Sequence, residues 1–122
     1  NTSVGTAGGN NISANGINGV MVFGTDAAAN EIRNNALNSN TGNGVLIVGN
    51  GSIGNRVQGN SFINNTVLAI DLGTDTAADG VTPNDALDAD GSPNHLQNYP
   101  QIASATEAEM TGTLHSTPGV MF

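Results

Sequence analysis

The ionisable chemistry of this 122-residue chain is confined to two Arg, two His, one Tyr and ten acidic side chains. Abstraction of a proton α to a carboxylate would need acidic ligands grouped around Ca²⁺ and a neighbouring Arg or Lys as base. Arg33 and Arg56 are the available bases, and they fall at different positions of the internal repeat described below. Asp26, Asp71 and Asp75 do not share a position either, so that assembly is not formed. Facing Asp residues for a hydrolase are no better supported. His95 and His115 lie outside the repeat in separate segments, without the nucleophile-elbow signal that a Ser-His-Asp assembly would need, and read as solvated loop residues. The sequence therefore assigns no catalytic and no cofactor-binding residue.

Oxygen ligands crowd in one place, the segment 84–94, where Asp85, Asp88 and Asp90 form a candidate Ca²⁺ site. The EF-hand pattern fails there, because Ala86 stands where its first Asp would fall and no Glu closes the loop after Gly91. A solvated acidic turn capping an open end explains the same residues. Pro83 fits such a cap, since it lacks the N–H that another strand would require.

The elements that would position any of these side chains are legible from composition and period. The formal charge of -8 disfavours partners that are themselves polyanions, so nucleic acid and anionic membrane surfaces are not expected. No apolar run is long enough to insert in a membrane. Zero Cys removes disulfides and thiolate zinc sites. Seventeen Gly and nineteen Asn suit turns and left-handed corners far better than helices.

A period of about 25 residues orders the middle of the chain. Asn10, Asn35 and Asn60 coincide, as do Ile12, Leu37 and Phe62, then Asn15, Asn40 and Asn65. Val20 and Val22 fall on Val45 and Ile47, then on Ile70 and Leu72; Asn30 and Ile32 fall on Asn55 and Val57. A one-residue deletion after Leu72 places Asp79 and Val81 next in that series. Three short segments per copy, separated by Gly- or Asn-rich corners, predict an all-β coil in which each strand stacks parallel on its counterpart one repeat later, about 4.8 Å away. The expected core is Ile12, Leu37, Phe62, Val20, Val45, Ile70, Val22, Ile47, Leu72, Ile32, Val57 and Val81. The Asn columns are expected to be staples, each amide bonding to the copies above and below. The same register sets Glu31 beside Arg56.

The repeat Asn35-Ala36-Leu37-Asn38-Ser39-Asn40-Thr41-Gly42-Asn43-Gly44-Val45-Leu46-Ile47 and the tail Asp79-Gly80-Val81-Thr82-Pro83-Asn84-Asp85 resemble right-handed parallel β-helix repeat proteins of bacteria, over roughly residues 1–104. The resemblance implies a right-handed parallel β-helix, about three rungs of three short strands, within a larger secreted or cell-surface protein whose helices alternate with β-sandwich modules. It implies no single activity, because pectin-cleaving enzymes, tailspikes, adhesins and spacers share the coil. The expected layout is rungs over 1–83, an acidic capping loop over 84–98, and over 99–122 an extended segment and hairpin that begin a sandwich module. In that last part Tyr99–Ile102 would dock on the coil, and Glu109–Leu114 would turn at Ser116–Gly119 into a strand carrying Val120 and Phe122. Residues 1–9, with Val4, read as the last strand of a preceding rung.

The expected function is a structural or adhesive module. The alternative is a module that binds extracellular polysaccharide or acts as a polysaccharide lyase, for which the absence of Trp is unfavourable. Alternation turns Met21, Phe23, Leu46 and Val48 outward, an apolar face expected to be covered by Leu96–Ile102 or by a second copy. Open coil ends offer a further route to weak self-association.

Overall fold

A computed structural model of the chain describes residues 2–5, 8–74 and 77–116. The short apolar segments become strands of two to five residues, bounded by corners in which the backbone turns left-handed. In chain order they are β1 (Ser3–Val4), β2 (Asn11–Ser13), β3 (Val20–Phe23), β4 (Glu31–Arg33), β5 (Ala36–Asn38), β6 (Val45–Val48), β7 (Arg56–Gln58), β8 (Ser61–Ile63) and β9 (Ile70–Gly73). A 3-10 turn (Asn94–Leu96) and the hairpin β10 (Gln101–Ala105) and β11 (Met110–Thr113) follow.

Strands β1 to β9 form three parallel sheets, ordered β1-β4-β7, β2-β5-β8 and β3-β6-β9. Register follows the sequence period: Ile12 faces Leu37 and Leu37 faces Phe62, Val20 and Val22 face Val45 and Ile47, which face Ile70 and Leu72, and Ile32 faces Val57. This is a three-rung parallel β-helix. Corners repeat with the same spacing, with positive φ at Ala14, Ser39 and Asn64 and again at Gly9, Asn34 and Gly59. Such a backbone is cheap for Gly and tolerable for Asn, which accounts for the composition.

The Asn columns hold the rungs together through directional ladders. The backbone N–H and the side-chain amide of Asn10 both donate to Oδ1 of Asn35, at 3.0 Å each. Asn35 repeats this to Asn60, Asn15 to Asn40 and Asn40 to Asn65, and Asn30 to Asn55. Four amides of the later rungs also donate to a carbonyl of the rung before: Asn35 to Val4, Asn40 to Ile12, Asn60 to Ile32 and Asn65 to Leu37. A further column runs the other way, from the N–H of Asn43 to Oδ1 of Asn18 and from the N–H of Leu68 to Oδ1 of Asn43.

Burial peaks in the middle rung. Ile32, Leu37, Val45 and Ile47 are buried with Val22, while Val4, Ile12, Val20, Val57, Phe62 and Leu72 pack around them from the end rungs, where one stacking neighbour is missing. Phe62 lies under Leu37 as expected but is only half-buried, its ring seated against Gly44.

Four expectations are corrected. Val81 is not the next member of the Ile32 column: it lies outside any strand and is 58% exposed, and the third member of that sheet is Val4 of β1. Ile70, on the last rung, is also left substantially exposed. The outward face is divided: Leu46 and Val48 are buried, whereas Met21 and Phe23 are 48% and 58% exposed. At the edge of this face the Ala77 carbonyl and Val48 close on Gly73 so tightly that no side chain would fit there. Finally, of Tyr99–Ile102 only Tyr99 and Pro100 lie against the end of the coil; Gln101 and Ile102 enter β10, which pairs antiparallel with β11, with Gln101 opposite Thr113 and Ala105 opposite Met110. Thr106 fastens the intervening turn, its Oγ1 accepting from the N–H of Glu109 at 3.0 Å. The predicted turn at Thr117–Gly119, with Val120 and Phe122, lies outside the described residues, as does Asp75.

Glu31 does stand opposite Arg56 across β4 and β7, but the ion pair joins Glu31 to Arg33 of its own strand, Nε to Oε2 at 3.7 Å. Two residues apart on a strand, the two side chains share a face.

Candidate functional site

The third side of the last rung is built by a segment far from where the period points. One repeat after Asn55 is position 80, yet the residue that continues the ladder is Asn94. Its Oδ1 accepts the N–H of Asn55 at 2.9 Å, and its amide donates to the Asn55 carbonyl. Neighbouring residues follow suit: the N–H of Asn94 donates to the Ser52 carbonyl and Ser92 Oγ accepts the N–H of Gly51. The signal was present, since Asn94-His95-Leu96-Gln97 repeats the pattern of Asn55-Arg56-Val57-Gln58, displaced by an insertion. Asp79, expected in that place, instead accepts from Thr74 through both its N–H and its hydroxyl.

The insertion is tied back by Asn98, which is almost fully buried. Its Oδ1 accepts the N–H of Asp85, its amide donates to the carbonyls of Asp85 and His115 at 2.8 Å, and its N–H donates to Oδ1 of Asp88 at 2.7 Å. Asn84 and Tyr99 exchange two further bonds. Two of the three candidate Ca²⁺ ligands thus serve the loop itself, with Asp88 accepting from Asn98 and Asp85 Oδ2 accepting from Ala89. Among the described residues, no three His, Cys, Asp or Glu side chains are grouped as a metal site would require.

Between the last rung and this cap lies a cleft of about 590 Å³. Its floor is the open interior of the coil, with Ile47, Val57, Leu68, Ile70 and Leu72; Leu96, Tyr99 and Pro100 form the opposite wall. Asn55 and Asp71, 6% and 2% exposed, also border it. In the ladder, the Asn55 amide nitrogen would donate forward as Asn30 does, yet Nδ2 has no hydrogen-bond partner among the described residues.

Asp71 occupies the outward position above Leu46, where a carboxylate replaces a leucine. Its Oδ2 accepts the buried amide of Asn43 at 3.1 Å, and Oδ1 completes no hydrogen bond. Burial pushes its carboxyl above the ordinary carboxylate range. The nearby Gly80 backbone N–H and the Asn43 amide draw it down, while Asp79 adds to the rise.

The remaining candidates stay apart. Arg33 is opposite Gln58 while Arg56 is opposite Glu31, so the two guanidinium groups occupy different columns of one sheet. Asp26 sits in a left-handed corner, with its carboxylate over Gly51. His95 is exposed beside the end ladder, and His115 meets Asn98 through its backbone carbonyl. No helix among the described residues is long and apolar enough to cross a membrane. No family model, no curated protein and no solved structure compared with this chain matches it.

Proposed function

We propose that this chain is a non-catalytic structural or adhesive module, a length of β-helix that holds other parts of a secreted or cell-surface protein at a fixed separation. The observation that carries this reading is the commitment of the Asn columns: their amides spend their donors and acceptors on the adjoining rungs, so the most abundant polar side chain of the coil serves cohesion. Stacking of this kind makes a stiff rod from small repeats that each touch only their neighbours. The extracellular setting rests on the resemblance to bacterial β-helix repeat proteins.

Incubation of the chain with polygalacturonate and pectin tests the reading against its enzymatic rival. The expected result is no release of unsaturated or reducing ends above the blank. Release that disappears in Arg33→Ala or Arg56→Ala would overturn the proposal in favour of a lyase.

A further inference from the structure

The coil contains four Asn-Gly pairs, Asn15-Gly16, Asn18-Gly19, Asn43-Gly44 and Asn50-Gly51, and the fold guards them unequally. We propose that Asn50 is a site of spontaneous covalent modification, deamidation through a cyclic imide, and that the Ser92 hydroxyl sets its rate. In this reaction the backbone nitrogen of the following residue attacks the side-chain carbonyl carbon of Asn. The C–N bond to the side-chain amide breaks, and ammonia leaves with the proton given up by the attacking nitrogen. Water then opens the five-membered imide at either carbonyl, giving aspartate or isoaspartate, and nothing is oxidised or reduced. Glycine is the follower that favours this step, because no Cβ crowds the attacking nitrogen.

The step needs a nitrogen free to lose its proton and a side chain free to swing onto it. Neither condition is met at Asn43-Gly44 or Asn18-Gly19. Asn43 is buried, with Nδ2 donating to Asp71 and Oδ1 accepting from Leu68, while the Gly44 N–H donates to the Leu68 carbonyl at 2.8 Å. Asn18 accepts the Asn43 N–H through Oδ1, and the Gly19 N–H donates to the Asn43 carbonyl at 3.0 Å. Asn15 precedes an exposed glycine, but the ladder holds it firmly: its N–H and Nδ2 donate to Asn40 Oδ1, and its carbonyl accepts from Thr41. Asn50 differs. It stands at the tip of the turn in which the Ser52 N–H donates to the Gly49 carbonyl, between Gly49 and Gly51, whose φ values are 107° and 76°. It is exposed, and no described residue hydrogen-bonds its side chain. The restraint that remains on the attacking nitrogen is the bond from the Gly51 N–H to Ser92 Oγ at 2.9 Å, made by a half-buried side chain of the segment 84–94. That bond must open before the nitrogen can attack, and a bond reaching across from a loop opens more readily than one inside a rung. The product places a new carboxylate at a corner where that of Asp26 already lies over Gly51. A rod role neither requires nor forbids this chemistry.

Incubation of the full chain at mildly alkaline pH, with peptide mapping by mass spectrometry at intervals, tests the proposal against the same chain unfolded in guanidinium chloride. Unfolded, the four pairs are expected to convert at similar rates, since the reacting dipeptide is the same. Folded, Asn50 is expected to convert at least roughly tenfold faster than Asn15, Asn18 or Asn43, to a mixture of isoaspartate and aspartate. Ser92→Ala releases the Gly51 N–H and should speed conversion at Asn50 several-fold while leaving the other three positions unchanged. The ranking in the native chain remains the test should Ser92→Ala fail to fold. Equal rates at Asn50 and Asn15 in the folded chain, or no conversion at Asn50 while the unfolded chain converts, would overturn the site. An unchanged rate in folded Ser92→Ala would overturn the part given to Ser92.

Discussion

At the scale of single residues, the stability of this protein depends on amides more than on charges. Asn40 is fully buried and touches two rungs at once: Oδ1 accepts from Asn15 twice, and Nδ2 donates to Asn65 Oδ1 and to the Ile12 carbonyl. Removing that amide strands several buried groups, so Asn40→Ala should cost about 3 kcal/mol or more in urea unfolding. Asn38, at a more exposed site with one contact at 3.4 Å, should cost below about 1 kcal/mol on the same substitution. Asp71 gives the chain a definite response to pH. Its carboxyl titrates higher folded than unfolded, so the folded state holds the proton more tightly. The protonated carboxyl therefore favours the fold at low pH, and this contribution fades as pH rises from the ordinary carboxylate value through the raised one. Melting temperatures of the native chain and of Asp71→Asn, compared across acid and neutral pH, should show the native chain losing ground on the variant as pH rises.

At the scale of elements, close approach between rungs sets which positions accept a side chain. A methyl group on Gly44 would lie 2.5 Å from Phe62 Cδ1 and 2.7 Å from the Ala69 carbonyl oxygen, one contact with a core ring and one with backbone. Gly44→Ala should therefore destabilise by about 1–3 kcal/mol, the usual range for overpacking. Gly16, with nothing within 4 Å of the same position and no left-handed backbone, is the matched control, and Gly16→Ala should leave the melting midpoint nearly unchanged. The small residue ahead of each sheet strand was readable from the repeat, as Gly19, Gly44 and Ala69. Its reason was not, because a ring from the following rung lies across Gly44 and sequence order alone does not disclose that approach.

At the scale of the whole molecule, the coil is sealed unequally at its two ends. The middle rung is enclosed on both sides, the last rung is roofed by 92–100 across a cleft, and the first is met by the two residues of β1. Amide hydrogen exchange should therefore be slowest in β5 and β6 and faster in β2, β8 and the hairpin β10–β11, whose side chains are all exposed. Core truncations should follow the same gradient. Leu37→Ala should cost about 2–5 kcal/mol, as fully buried leucines do, and Phe62→Ala should fall short of the full penalty of a buried phenylalanine because its ring is only half-covered. Equal losses at both positions would mean that the last rung is more enclosed than the cleft implies.

The sequence by itself determined the coil. A fixed period, apolar side chains spaced for alternating strands, and Asn or Gly at every corner leave a stacked parallel architecture as the arrangement that buries the apolar columns while pairing the amides. Ile12, Leu37, Val45, Ile47 and the ladder residues Asn35 and Asn40 were legible for that reason, because a repeated local pattern reports a repeated environment. Only the tertiary structure decided how the coil ends. Whether Val81 or Leu96 closes the last rung, whether Leu46 and Val48 are covered, and which buried polar atoms are left without partners all depend on contacts between residues separated by an insertion. A fixed period sets no register across an insertion: Asn94–Gln97 repeat the pattern of Asn55–Gln58, but their return to the ladder and the cleft between the last rung and Tyr99 were decided by the folded molecule.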